Sequence, residues 1–327
     1  MITCRTRRER WALKEPFEIA REVITEQPVL WLQLSDGRGH VGVAEAAGVD
    51  YDGETPTTMA RQIAAVRPRL HDDLTQQELL GLLPAGGARN ALDCALWDLR
   101  AKQSGIPVWR AAGLPEPAPV LTAFTIGLGD EATTRRKLQQ ARAFPLLKLK
   151  VDARRHRAIV NMAREVHPAA RLMVDANQSW SLPLLEQLLP HLLAAGVEMI
   201  EQPLARTDDA LLRGLRSPVP LAADESCTDR ASLDELVGCY DFVNLKLDKC
   251  GGLTEALAMV EAARKRGFGL MVGNMCGTSL AMAPAHLLAQ TCRYADLDGP
   301  LLQHRDRAAP MRCEQGVLQP PPAALWG

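Results

Sequence analysis

Along the first hundred residues the apolar positions recur with two different periods. Val29-Leu30-Trp31-Leu32-Gln33-Leu34 and His40-Val41-Gly42-Val43-Ala44-Glu45 flank the turn Ser35-Asp36-Gly37-Arg38-Gly39, which predicts a β-hairpin. Three helical stretches follow, Thr57–Leu70, Thr75–Leu83 and Ala88–Gln103. In the last of these Ala91, Leu92, Ala95, Leu96 and Leu99 share one face, and Gly105-Ile106-Pro107 ends it. A hairpin followed by a helical cluster predicts a small α+β domain over residues 1–117. Gly113-Leu114-Pro115-Glu116-Pro117-Ala118-Pro119 is its linker to what comes next.

Beyond the linker short apolar runs alternate with helical patterns. The strand candidates are Leu121–Ile126, Leu146–Val151, Arg171–Asp175, Met199–Glu201, Leu221–Asp224, Phe242–Leu247, Gly269–Val272 and Ala295–Asp298. Helical patterns such as Leu184–Ala195 and Leu253–Arg266 separate them. Seven to eight such units over about 180 residues predict an α/β fold, a modified TIM-like (β/α) barrel over residues 118–307. The Pro-rich tail, residues 308–327, no longer alternates and is expected to pack back on the N-terminal capping domain and complete it.

Composition narrows the classes of function. With 47% hydrophobic and 24% charged residues the chain has the make-up of an ordinary soluble globular protein. A net charge of −1 offers no basic footprint for nucleic acid and no polybasic stripe for an anionic membrane. The first ten residues carry charges with no apolar core behind them, so no signal peptide is expected. The most apolar stretch, Leu182–Ile200, is interrupted by Pro183, Glu186, His191 and Glu198 and does not read as a membrane span. The eight cysteines form no CxxC pair, which points to free thiols in a reducing cytoplasm.

The candidate chemistry lies at strand ends, where barrel catalytic residues project. Strand two ends in Lys148-Leu149-Lys150, and the two-residue period turns both ammonium groups inward. The next strands end in Asp175, Glu201 and Asp224, and the sixth carries Lys246. Each alone reads more readily as a helix cap, a salt-bridge partner or a solvated edge. The ordered series of Lys, Asp, Glu, Asp and Lys on five successive strands does not. Three converging carboxylates make a hard oxygen site suited to Mg²⁺, flanked by lysines.

The motifs Leu147-Lys148-Leu149-Lys150, Val174-Asp175-Ala176-Asn177, Ile200-Glu201-Gln202-Pro203, Ala223-Asp224-Glu225-Ser226 and Val243-Asn244-Leu245-Lys246 resemble the enolase superfamily, muconate-lactonizing subgroup. The resemblance covers essentially the whole chain, including the helix from Ala88 to Leu99. Gly273-Asn274-Met275-Cys276-Gly277-Thr278-Ser279-Leu280-Ala281 and Asp296-Leu297-Asp298-Gly299-Pro300 are similar to the dipeptide epimerases, the L-Ala-D/L-Glu epimerases among them. The resemblance implies Mg²⁺ on Asp175, Glu201 and Asp224, with Lys150 and Lys246 as an acid/base pair on opposite faces of the substrate α-carbon. It implies a small dipeptide substrate and a place in murein-peptide metabolism; homo-oligomerisation stays open. Lys249 competes with Lys246, but Lys246 lies inside the apolar run and Lys249 begins the Lys-Cys-Gly-Gly turn.

In that context Lys148 adds a cation beside the substrate carboxylate, and cationic neighbours and burial are expected to lower the lysines' pKa. Asp296 and Asp298 read either as a barrel-closing turn or as a clamp on a dipeptide's free ammonium. Thr125 and Met275 are expected against the substrate, though Met275 reads equally as core. The segment Phe17–Glu26 is the expected lid, from which Arg21 pairs with a glutamate side chain of the substrate or is simply solvated. His156, His167, His191 and His286 fall in helical patterns, which disfavours a histidine base. Gly251-Gly252 follows a strand, but no GxGxxG opens a helix, so a dinucleotide site is unsupported. The rivals are o-succinylbenzoate synthase, N-acylamino acid racemase or lactonising cycloisomerase chemistry on the same machinery, a Schiff-base aldolase, and a non-catalytic scaffold.

Overall fold

A computed structural model describes residues 2–327. The chain opens with a three-stranded antiparallel sheet of β1 (Thr3–Glu18), β2 (Val23–Ser35) and β3 (Val41–Ala46). The expected hairpin is β2–β3, paired from Leu30↔Ala46 to Ser35↔Val41. No sequence pattern announces β1, whose alternation is blurred by a run of arginines and glutamates facing solvent. Helices α1 (Pro56–Val66), α2 (Gln76–Leu80), α3 (Gly87–Ser104) and the short α4 (Val108–Ala111) follow. Thr55 caps α1 and Thr75 caps α2, each through a reciprocal capping box. Gly105, at φ 68°, ends α3 with its N–H on Ala101 O. Gly42 lets β3 lie directly on α3, since a Cβ there would stand 2.1 Å from Ala95 O.

The second part is an eight-stranded parallel sheet. Its strands are β5 (Phe124–Ile126), β6 (Leu146–Lys150), β7 (Arg171–Asp175), β8 (Val197–Glu201), β9 (Leu221–Ala223), β10 (Phe242–Leu245), β11 (Gly269–Val272) and β12 (Tyr294–Ala295). They are hydrogen-bonded in chain order, and a parallel bridge between Thr122 and Ala295 brings the two edges together. Crossovers include α5 (Glu131–Gln140), α6 (His156–Val166), α7 (Leu182–Ala194) and α8 (Ser232–Leu236). After β10 come α9 (Leu247–Cys250) and α10 (Leu253–Lys265), and after β11 and β12 come α11 (Ser279–Ala289) and α12 (Gly299–Leu302). The first strand expected over 121–126 is split. Its start is β4 (Val120–Leu121), which pairs antiparallel with β14 (Val317–Leu318), itself paired with β13 (Cys313–Glu314). The fold is thus a TIM-like barrel with an N-terminal α+β capping domain completed by the C-terminal tail. No helix of the described residues is long and apolar enough to cross a membrane.

The strand period positions the site. Ala123, Leu146, Met173, Met199, Ala222, Phe242, Met271 and Tyr294 form a separate buried cluster that plugs the barrel. One step of two residues along these strands reaches Thr125, Lys148, Asp175, Glu201, Asp224, Asn244, Gly273 and Asp296. A second step reaches Lys150, Lys246 and Asp298. The polar layer stands on the apolar plug because side chains alternate.

Candidate active site

Four lysines and five carboxylates converge above the plug. Lys148, 1% exposed, lies 3.0 Å from Asp175 Oδ2, 2.8 Å from Glu201 Oε2 and 2.9 Å from Asp296 Oδ2. Lys150 Nζ donates to Asp175 Oδ2 at 2.6 Å and to Asn177 Oδ1 at 3.0 Å. The inward pairing of Lys148 and Lys150 therefore follows from the strand period, and both reach the same carboxylate. Across the barrel Lys246 Nζ donates to Asp224 Oδ2 at 2.7 Å, while Lys249 Nζ reaches Asp224 Oδ1 at 2.7 Å. Lys249 also donates to the Asp224 carbonyl and, at 3.1 Å, to Asn244 O, which fixes all three of its protons. Lys246 stands four strands from Lys150 in a sheet of eight, on the opposite wall. A Cβ on Gly273 would lie 3.0 Å from Lys246 Cε, so glycine leaves room for the lysine's stem.

Charge and burial set the ionisation. Burial raises the Asp175 and Asp224 carboxyls, but Lys148 and Lys150 beside the first, and Lys246 and Lys249 beside the second, outweigh it and hold both below the usual range. Glu201 goes the other way, pushed up to about 7 by burial and by the charge of Asp175. Burial lowers the Lys246 ammonium, yet Asp224 more than compensates and its pKa is raised. The lowering expected of Lys246 belongs to the site with Mg²⁺ beside it; the carboxylates alone, which outnumber the cations around it, raise it.

The donor set fits a hard divalent cation. Asp175, Glu201 and Asp224 are 0–2% exposed at three successive strand ends. Glu201 Oε1 accepts from Asn244 Nδ2 at 2.9 Å; its Oε2 faces the Lys148 ammonium at 2.8 Å but accepts no hydrogen bond among the described residues. An all-oxygen set of three buried carboxylates, one with an oxygen that accepts no hydrogen bond, is what Mg²⁺ would suit. Among the described residues no three acidic side chains close on a single point; ammonium groups lie between them.

At the barrel's closing edge Asp296 and Asp298 are 5% and 2% exposed. Asp298 Oδ2 accepts from Thr125 N at 2.7 Å, and Thr125 Oγ1 donates to Asp296 Oδ1 at 3.4 Å. Burial and the neighbouring Asp296 push the Asp298 carboxyl up to about 7. Met275 lies half-buried in the loop between β11 and α11. Arg21 sits in the turn between β1 and β2, with Nη1 3.1 Å from Glu225 Oε1 and its guanidinium over the Tyr51 ring. It is partly exposed and lies outside the lysine cluster. The hairpin tip docks on the barrel through Leu128 N to Glu18 O at 2.8 Å.

Asn177, Glu225 and Asn244 join this site although the strand-end pattern gives them no role. Asn244 was legible by period, two residues before Lys246 on the same strand. Asn177 was not, because it reaches Lys150 through a left-handed backbone at φ 41° that no strand pattern announces.

Residues 1–113 match the mandelate racemase / muconate lactonizing enzyme N-terminal domain, and residues 130–324 match the domain described as enolase C-terminal domain-like. The chain belongs to the enolase superfamily. It is 43% identical to the L-Ala-D/L-Glu epimerase of Escherichia coli K12 over 92% of this chain and 94% of that one. It is 44% identical to an N-acetyl-D-glutamate racemase of Pseudoalteromonas sp. over 76% of this chain and 79% of that one. An Agrobacterium tumefaciens enolase family member with homology to dipeptide epimerases, solved with sodium and L-Ala-L-Glu, superposes with a TM-score of 0.96. It is 39% identical and the match covers 100% of both chains. The barrel and the cap are those of this superfamily.

Proposed function

We propose that this isomerase epimerises a dipeptide, L-Ala-D/L-Glu, at the α-carbon of its C-terminal residue by 1,1-proton transfer. The observation that carries the reading is the placement of Lys150 and Lys246 on opposite walls of one carboxylate-lined barrel, four strands apart in eight. Asp175, Glu201 and Asp224 would hold Mg²⁺. Bound there, it would supply Lewis-acid neutralisation of the charge that develops on the substrate carboxylate, and would offset the carboxylate charge that keeps Lys246 protonated. Lys148 sets a further positive charge beside the same oxygens. One lysine, neutral, removes the α-proton; the enediolate so formed is planar, and the other lysine, protonated, returns a proton to the far face. Lysine bases working beside Mg²⁺ are general to enolase-superfamily sites, so this division of labour is not special to the present chain.

Asp296 and Asp298 bind the free α-ammonium in this reading. Two buried carboxyls, one raised to about 7 by burial and by the other's charge, gain a partner when a cation arrives between them. Eight free thiols support a reducing, cytoplasmic setting, and self-association is compatible with the reading.

The identity to an N-acetyl-D-glutamate racemase favours a second reading, in which the substrate is an N-acyl glutamate. The two are separated by incubating the enzyme with Mg²⁺ in D₂O with Ala-Glu or with N-acetyl-Glu and following deuterium at the α-carbon. Faster turnover of Ala-Glu is expected, since N-acetyl-Glu brings no cation to the aspartates. Equal or faster turnover of N-acetyl-Glu would replace the dipeptide with the N-acyl substrate.

A further inference from the structure

A line of hydrogen bonds joins the capping hairpin to one of the two lysines and not to the other. Arg21 Nη1 donates to Glu225 Oε1 at 3.1 Å, and the same oxygen accepts from Asn177 Nδ2 at 3.2 Å. Asn177 Oδ1 accepts from Lys150 Nζ at 3.0 Å. The orientation of the Asn177 amide follows from its neighbours, because an ammonium only donates and a carboxylate only accepts. Its backbone is pinned as well: Asn177 and Gln178 take φ of 41° and 67°, and Asn177 N donates to Asp175 Oδ1 at 2.9 Å.

Glu225 is the middle of this line. It is 1% exposed, and its Oε2 has no hydrogen-bond partner among the described residues, so the carboxylate is held through Oε1 by the arginine and the amide. The Arg21 side chain is 32% exposed and stands on the hairpin turn, with its guanidinium 4.6 Å from the Tyr51 ring centroid. The line therefore begins on a cap element and ends on a barrel lysine. Among the described residues Lys246 Nζ donates to Asp224 Oδ2 alone, and no line of hydrogen bonds leads from it to the hairpin.

We propose that Glu225 is a positioning residue that ties the docked state of the Arg21 hairpin to the placement of Lys150, through Asn177. One face of the proton transfer then depends on the hairpin and the other does not. Lysine carries four rotatable side-chain bonds, and its ammonium is placed by its acceptors, here Asp175 Oδ2 and Asn177 Oδ1. A neutral amide at position 225 offers its own N–H₂ as readily as its oxygen. The Asn177 amide then loses the charge that keeps its oxygen turned towards Lys150.

The inference rests on the two-lysine reading above, and exchange of each epimer separately keeps the two apart. Lys150→Ala and Lys246→Ala first identify which epimer each lysine deprotonates, from the epimer whose α-proton no longer exchanges with D₂O. Glu225→Gln and Arg21→Met are then measured at saturating substrate, so that kcat is read and substrate affinity is not. Glu225→Gln is expected to slow exchange of the Lys150 epimer about tenfold, and Arg21→Met about threefold, with the Lys246 epimer within about twofold of the parent in both. Loss shared equally by the two epimers marks a merely structural role and overturns the proposal, as does no loss on either. Should Glu225→Gln not fold, Arg21→Met on the exposed turn decides by the same one-sided pattern. A parent protein that exchanges neither epimer fails at the two-lysine reading, and the coupling falls with it.

Discussion

Lys246 and Lys249 grip the two oxygens of one carboxylate, Asp224 Oδ2 and Oδ1, each at 2.7 Å, yet they are not equivalent. Lys249 spends its three protons on Asp224 and on the Asn244 carbonyl. Among the described residues Lys246 has one hydrogen-bond acceptor and protons to spare. Lys246→Ala is expected to abolish epimerisation while the protein stays folded. Lys249→Ala leaves a buried carboxylate and two carbonyls short of a donor and is expected to cost roughly 3 kcal/mol of stability. Epimerisation rates and urea midpoints of the two variants check this, and a stable, inactive Lys249→Ala beside an active Lys246→Ala would exchange their roles. At this scale the sequence was informative where a side chain's direction follows from strand period: Lys148, Lys150, Asp175, Glu201 and Asp224 all face inward on that ground alone. It was uninformative where direction comes from irregular backbone. Asn177 is aimed by a positive φ, and Arg21 by a turn whose docking depends on Glu225, a residue 204 positions away.

Among the elements, the helices with one apolar face were legible, and α3, α7 and α10 fall within two residues of their expected limits. The long strand β1 was not, since its outward positions carry the charges of Arg5, Arg7, Arg8 and Arg10 and mask the alternation. The splitting of the first barrel strand was also hidden, because β4 is made by pairing with β14 almost two hundred residues later. That pairing brings a pH dependence with it. His286 on α11 is 0% exposed, its Nε2 lies 3.4 Å from Leu318 O on β14, and its Nδ1 has no partner. Burial lowers its pKa to about 4, and the bond to the Leu318 carbonyl offsets this only in part. A histidine lowered in the folded state binds its proton first in the unfolded chain. Its contribution is thus complete above a pH of about 6.5 and is lost as pH falls towards 4, amounting to about 3 kcal/mol. Urea midpoints from pH 7 to 4 are expected to fall less steeply in His286→Gln than in the parent. Parallel curves would mean that the imidazole is protonated equally in both states.

For the whole molecule the question is whether cap and barrel unfold together. The eight-unit alternation and the hairpin-plus-helices cluster announce two architectures, and nothing in either pattern says how firmly they are joined. The structure joins them through α3, which is buried along nearly its whole length. On its barrel side Arg89 donates to Cys250 O at 2.6 Å, Asp93 accepts from Thr254 N at 2.9 Å, and Trp97 Nε1 donates to Thr254 Oγ1 at 2.9 Å. Beside these contacts the C-terminal tail locks onto the same helix: Trp326, 2% exposed, donates from Nε1 to Cys94 O at 3.0 Å, and Gly327 N donates to Asp98 Oδ1 at 2.8 Å. The tail reaches α3 after pairing as β14 with β4 at the barrel's entry, so one continuous segment spans the seam. Trp326→Ala removes a buried indole and strands the Cys94 carbonyl, and is expected to cost roughly 3–5 kcal/mol. Because α3 belongs to both cores, that loss should lower a single cooperative transition without dividing it. Denaturant unfolding followed by far-ultraviolet circular dichroism, alongside loss of epimerase activity, reads both parts of the expectation. Coincident curves shifted to lower denaturant are the expected result. Two separated transitions in Trp326→Ala, with activity following the first, would mean that the tail alone holds the cap to the barrel and that the contacts of Arg89, Asp93 and Trp97 do not suffice.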